Sequence, residues 1–251
     1  MLDSLPAKAL LTGDAGFVGY DFLKTVLDSG RQILVRVGSN VTLLKQLGYV
    51  RESHNTVYAW PDKAAAKNSE PLVFRLITVQ APKSVLYLIV SVRDEKQLSN
   101  RQVAEIYHAR WGVEVYYRHF KQTFGRRKLR SHSADNARIE CDWSLLGLWA
   151  IGLYAMAELS AHNIPPSRLS IARALRAFRR TARDYLHPAD PRHTLRIQLR
   201  AALIDEYKRT NKKSRDYPRK KAELPPGPPR ILNATKSQIR AAKKLKASKK
   251  G

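Results

Sequence analysis

Cysteine is nearly absent from this sequence: Cys141 is the only one in 251 residues. A single thiol excludes an internal disulfide and any cysteine-rich zinc cluster, and it suits a reducing cytoplasm. Long apolar runs are lacking too. The longest uncharged run, Trp143 to Ala157, lies between Asp142 and Glu158. It is shorter than the roughly 20 residues a bilayer span needs, so it reads as a buried core helix, and no membrane partner is expected. The N-terminus has no basic segment followed by an apolar stretch, so no export signal is visible. Acidic residues are the third shortage, with 21 Asp+Glu against 46 Lys+Arg and a formal net charge of +25.

What is present fits the gap left by the missing acids. Residues 211–251 hold 14 Lys/Arg and 2 Asp/Glu, so they carry +12 of the +25, and the first 210 residues keep the remaining +13. The excess therefore belongs to the folded part as well as to the tail. Lys and Arg that neutralise phosphates release condensed counterions, which makes a nucleic acid the expected partner. A hydrophobic content of 43% lets the chain bury a core in one or two domains.

Along the chain, Ala9 to Thr12 is a short apolar strand ending at Gly13-Asp14. Val18 to Ser29 has helical spacing, with Phe22, Leu23, Val26 and Leu27 on the inner side. Gly30 stops that helix, and Arg31 to Val37 alternates as a second strand. Strand-like runs then follow at 49–58, 72–79 and 85–92, with one short helical patch at 63–67. They predict an antiparallel sheet inserted at about 31–95. A long helix opens at Ser99, with Gln102 at capping-box spacing, and runs to about Phe124. A second, apolar helix covers 136–162. Basic amphipathic helices follow at 167–185 and 192–210, and the Pro- and Lys-rich 211–251 reads as a disordered tail.

The long helix carries Tyr107, Arg110, Glu114 and Lys121. On a regular helix these project within roughly a 60° arc, so one face would set a carboxylate among cations and a phenol. The spacing Tyr-x2-Arg-x3-Glu-x6-Lys resembles the Y-R-E-K signature of bacterial insertion-sequence transposases of the DDE class, the "insertion sequence four" family. Thr12-Gly13-Asp14-Ala15-Gly16-Phe17 is similar to the strand end that presents that family's second catalytic aspartate. The β-rich stretch 31–93 is similar to its inserted sheet, and Phe124 to Arg127 with Asn136 to Arg138 to the close of its catalytic domain. The likeness covers about residues 8–160.

The resemblance implies an α/β, ribonuclease-H-like catalytic core over 1–135 that is incomplete at its N-terminus, a helical region over 136–210 and the basic tail. It implies Asp14 and Glu114 as catalytic carboxylates and ligands of Mg2+ or Mn2+, hard cations that favour carboxylate oxygen. DNA cleavage and strand transfer at transposon ends would follow. Tyr107, Arg110, Lys121, Arg126 and Arg127 would contact DNA, and Trp60 would either stack on an unpaired base or sit buried at a strand end. The implied partners are transposon-end and target DNA, with a homodimer or a full-length transposase beside it, in the cytoplasm at the nucleoid. The family needs a third carboxylate on an earlier strand, yet Asp3 is the only acid before Asp14. The expectation is an N-terminally truncated chain that cannot assemble the two-metal site alone.

Two rivals stand beside this reading. A truncated transposase would also act as a DNA-binding inhibitor, or be a remnant. Thr12-Gly13-Asp14-Ala15-Gly16-Phe17-Val18-Gly19 also resembles the dinucleotide loop of short-chain dehydrogenases and epimerases, and Tyr117-x3-Lys121 their catalytic pair. Against that, Ile33 to Gly38 ends without an acid for a ribose, and strands without alternating helices follow. His108 and His119 point away from Glu114. Arg173, Arg176, Arg179, Arg180 and Arg183 make a cationic helix face suited to a DNA backbone.

Overall fold

The computed structural model describes residues 2–81, 84–183, 194–204 and 227–248. They divide into two compact units, residues 1–111 with 218–251, and residues 112–217.

In the first unit, β1 (Leu10–Gly13) leads through α1 (Tyr20–Asp28) to β2 (Gln32–Val37), which lies parallel to β1. This is the expected β-α-β start. β2 is apolar on both faces because both are covered. Ile33, Val35 and Val37 pack under Leu23 and Val26 of α1. Leu34 packs with Val103 and Tyr107 of α3 (Asn100–Ala109) on the other side. Burial of Leu23 and Val26 stabilises the layer by about 1.5–3 kcal/mol each. Phe22, expected on the inner side, instead points outward and meets the Phe17 ring at 5.6 Å.

Three antiparallel partners extend this pair: β6 (Ser84–Val90) beside β2, then β5 (Leu72–Ala81), then β4 (Thr56–Ala59). β3 (Thr42–Lys45) follows β4, and β7 (Arg230–Asn233) closes the order β1-β2-β6-β5-β4-β3-β7. The antiparallel strands expected as an inserted sheet are thus continuous with β1 and β2. The strand expected over 49–58 is confined to Thr56–Ala59, and the short β3 was not expected. The helical patch at 63–67 is α2 (Asp62–Ala66).

A larger correction concerns the tail. Residues 230–248, expected to be disordered, form β7 and α8 (Lys236–Ser248). β7 pairs parallel with β3, and Ala242 of α8 is buried with Leu44, Leu47, Tyr58 and Trp60. Ile239, Ala242 and Leu245 recur at helical spacing and give this lysine-rich segment one apolar stripe. Residues 211–226 and 249–251 of the expected tail lie outside the described stretches.

α3 opens with the expected capping box. Ser99 accepts the Gln102 N–H through its hydroxyl, and the Gln102 side chain accepts the Ser99 N–H. The long helix expected to run to Phe124 is interrupted. α3 ends at Ala109, α4 (Trp111–Arg118) begins beyond Arg110, and His119–Thr123 is a π-helical turn.

The second unit is helical. α5 (Ala134–Ser160) carries Ile151 and Ala155 against α6 (Ile171–Arg183) and α7 (Leu195–Arg200). α5 is only half the buried helix expected: Trp143, Leu146, Trp149 and Leu153 are exposed opposite the packed face. By length and composition alone it reaches what a membrane crossing needs, although the count of uncharged residues fell short. The helix expected over 192–210 stops at Arg200. Leu203 then bridges to Leu169, and Ile204 donates to the Arg168 carbonyl. Residues 184–185, 192–193 and 205–210 of these expected helices lie outside the described stretches.

Candidate functional site

Asp14 follows the last residue of β1. Its carboxylate is exposed, and Oδ1 accepts the Gly16 N–H at 2.9 Å. That bond caps the 3-10 turn Ala15–Phe17 and fixes the acid at the strand end. A Cβ at Gly13 would stand 3.1 Å from Cβ of Phe17, a tight contact that glycine avoids. The same geometry disposes of a dinucleotide loop: the Gly16 amide is taken by Asp14, a 3-10 turn intervenes before α1, and β2 pairs antiparallel with β6 rather than continuing a parallel sheet.

Tyr107 lies on the inner face of α3 and is 8% exposed. The Arg110 guanidinium carbon stands 5.5 Å from its ring centroid. Burial pushes the Tyr107 phenol up from its ordinary value. Arg110 and Arg36 oppose the rise, and Asp14 adds to it. Asp14, Arg36, Tyr107 and Arg110 therefore share one electrostatic neighbourhood within the first unit. Arg36 was missed by the sequence reading. Its signal was a lone cation in an otherwise apolar strand, one register step beyond the Gly13–Val35 pair that precedes Asp14.

The other part of the signature belongs to the second unit. Glu114 on α4 lines a cleft with Tyr117, Arg118, Lys121, Gln122 and Arg127. Lys121 Nζ lies 5.8 Å from the Tyr117 ring centroid. The π-helical turn bears Lys121, and such turns inside helices are frequent at functional sites. Of the four signature residues, Tyr107 and Arg110 lie together in the first unit, and Glu114 and Lys121 line one cleft in the second. His119 is part-buried beside Thr123 Oγ1 at 3.2 Å, and burial, aided by Arg118, holds its pKa below the usual histidine value.

Two expected DNA contacts are corrected. Trp60 is 3% exposed, and its indole N–H donates to the Ser69 carbonyl at 2.8 Å, so no ring face is offered to a base. Arg126 is spent on its own unit: Nε donates to Ser144 at 2.7 Å and Nη1 to Glu140 at 3.0 Å. Glu140 also accepts the Arg130 and Ser131 amides and the Ser131 hydroxyl. Burial pushes this carboxyl up, but Ser131, Arg130 and Arg126 together hold it below the usual range. Arg127 stays exposed at the Glu114 cleft.

Asp14 thus stands at a strand end in the electrostatic neighbourhood of Tyr107 and Arg110, and Glu114 lies in a basic cleft of the second unit. A family model described as the transposase DDE domain matches residues 1–149, and the chain belongs to that family. It is also similar to the transposase InsG for insertion sequence element IS4 of Escherichia coli (strain K12), at 29% identity over 101 residues. That match covers 39% of this chain and 23% of the relative, so the chain spans under a quarter of that protein's length.

Proposed function

We propose that this chain acts in DNA transposition, with Asp14 and Glu114 as two carboxylates of a metal-dependent strand-cleavage and strand-transfer site on a ribonuclease-H-like core. The observation that carries the reading is the exposed, amide-oriented carboxylate of Asp14 in the same neighbourhood as Tyr107 and Arg110 of the Y-R-E-K spacing. The family works with divalent metal ions, and the donors fit Mg2+ or Mn2+: each is an exposed carboxylate, the hard oxygen ligand such cations take. Among the described residues no three His, Cys, Asp or Glu side chains gather into one cluster, so these two supply part of a ligand set. When bound, the ions would activate the attacking oxygen and stabilise the leaving one.

The chain's own residues hold the substrate. Arg36, Arg110, Lys121 and Arg127 carry positive charge to the phosphates on either side of the scissile bond. Tyr107, kept protonated by burial, donates its hydroxyl to a phosphate oxygen. Transposon-end and target DNA are the substrates, a second copy or a longer transposase is the partner, and the cytoplasmic nucleoid is the setting. The test is Mn2+ binding followed by electron spin resonance, with strand cleavage of a transposon-end duplex alongside. Asp14→Asn and Glu114→Gln are expected to weaken Mn2+ binding at least about tenfold, with circular dichroism unchanged. Wild-type Mn2+ affinity in both variants would refute the assignment.

A further inference from the structure

The most concentrated charge lies outside the candidate site. α6 carries Arg173, Arg176, Arg179, Arg180 and Arg183 and contains no acidic residue. These five arginines line a cleft of about 850 Å³ whose other wall is Ile197, Gln198 and Ala201 of and just beyond α7. Arg176, Arg179, Arg180 and Arg183 are exposed. The cleft shares no residue with the one at Glu114.

The opposite side of α6 explains why this face is held open. Ala174, Leu175 and Ala177 are buried, and the alanines pack with Ala155, Leu199 and Ala202 of the second unit's core. An amphipathic helix that binds a lipid surface needs its apolar side free to enter the bilayer. Here that side is committed to the protein, and only the guanidinium side is offered. Arg176, Arg179 and Arg180 are exposed and stand three and four residues apart, a spacing at which like charges on a helix repel, so an anion seated across them relieves the repulsion. An array of phosphates at regular spacing does so. Every cation of α6 is arginine, whose planar fork binds phosphate in a bidentate manner that lysine lacks.

We propose that the α6–α7 cleft seats the phosphate backbone of duplex DNA, independently of base sequence and of the metal-binding carboxylates. It rests on the proposed action on DNA only for the identity of the polyanion. The contact anchors the duplex through the helical unit while the carboxylates act elsewhere on it.

The test uses the full chain, a random-sequence duplex and EDTA, so that neither metal nor transposon-end recognition contributes. Affinity is measured by fluorescence anisotropy from 50 to 300 mM salt. Replacing Arg176, Arg179 and Arg180 together with Gln is expected to reduce the slope of log affinity against log salt by about 2–3, since each lost phosphate contact is worth about 0.9. Arg180→Gln alone is expected to reduce it by about 0.9. The control removes the same charge from exposed positions of α8 (Lys243, Lys244 and Lys246 to Gln) and is expected to change the slope by less than 1. Thermal melting verifies that each variant folds. An unchanged slope in the α6 variants, or an equal fall in the α8 control, overturns the proposal. Tighter binding to single-stranded RNA of equal length, or to phosphatidylserine vesicles, with the same dependence on α6, overturns the choice of duplex DNA. Because binding is read in EDTA on a random-sequence duplex, its outcome does not depend on the metal-binding carboxylates, and failure of that assignment and failure of this one are separately visible.

Discussion

The Arg110 guanidinium, at the C-terminal cap of α3, sits 5.5 Å from the centre of the Tyr107 ring. The contact orders both side chains: the ring is packed in the sheet-facing core, and the cation is drawn over it. Because burial raises the phenol above its ordinary value, Tyr107 keeps its proton throughout the neutral range and offers a donor to a phosphate. Two signature residues are thus placed by core packing, before any ligand arrives.

Tyr107→Phe isolates that hydroxyl. The ring keeps its packing, so the unfolding midpoint is expected to stay close to wild type. Affinity for a transposon-end duplex is expected to fall about tenfold, equivalent to about 1.4 kcal/mol, by a factor that is constant from pH 6 to 9. Anisotropy titrations at several pH values measure it. A variant within twofold of wild type would remove the hydroxyl from the DNA contacts.

Trp60 separates a structural tryptophan from a base-stacking one. It is buried among Leu44, Leu47, Tyr58 and Ala242, and its N–H is used by Ser69. Trp60→Ala is expected to cost about 3–5 kcal/mol of stability through the cavity it leaves. Trp60→Phe also strands the Ser69 carbonyl and is expected to cost about 1–3 kcal/mol. Urea unfolding gives both values. The folded Phe variant is expected to bind DNA as wild type does, and a selective loss of DNA binding at unchanged stability would restore the stacking role.

Sequence alone made the local parts of this molecule legible. The β1-α1-β2 start, the Ser99 capping box and the long α5 all follow from periodicity and end signals within a few residues. Asp14 could be placed because a Gly-Asp step closes an apolar strand. What stayed hidden depends on distant partners. Arg126 looked like one more free cation in a basic run, and only the fold brings Glu140 and Ser144 to it. Arg36 gains meaning only from its neighbours Asp14 and Tyr107. α8 was masked by its lysines, since its apolar stripe is three residues wide and packs on strands nearly 200 residues earlier in the chain.

The Glu140 knot gives a pH prediction. Ser131, Arg130 and Arg126 outweigh the effect of burial and keep the folded carboxyl below the value it has in the unfolded chain. Between the two values the unfolded chain binds the extra proton. The stabilisation is therefore complete above the ordinary glutamate range, near pH 4.3, and is lost as pH falls below it. Glu140→Gln is expected to melt lower than wild type at pH 7, with the gap narrowing as pH drops toward 3. Calorimetry across pH 3–7 measures this, and a gap independent of pH would mean that the carboxylate charge contributes nothing to the knot.

The docking of the C-terminal strand and helix yields the last prediction. β7 covers the edge of β3, and Ala242 is fully buried where α8 meets the sheet. Ala242→Asp would place a carboxylate among Leu44, Leu47, Tyr58 and Trp60. An uncompensated buried charge of this kind ranks with the most damaging single substitutions, on the order of 4 kcal/mol. For a chain of this size that lowers the melting temperature by about 10 °C. Ala242→Gly, which costs only about 1 kcal/mol of helix propensity, is expected to lower it by a few degrees. Removing residues 228–251 should go further and leave the β3 edge open to pairing between molecules, visible as concentration-dependent light scattering. If the Asp variant melted with wild type, α8 would not be docked through Ala242, and the seven-stranded order of the sheet would lose the helix that holds its last strand.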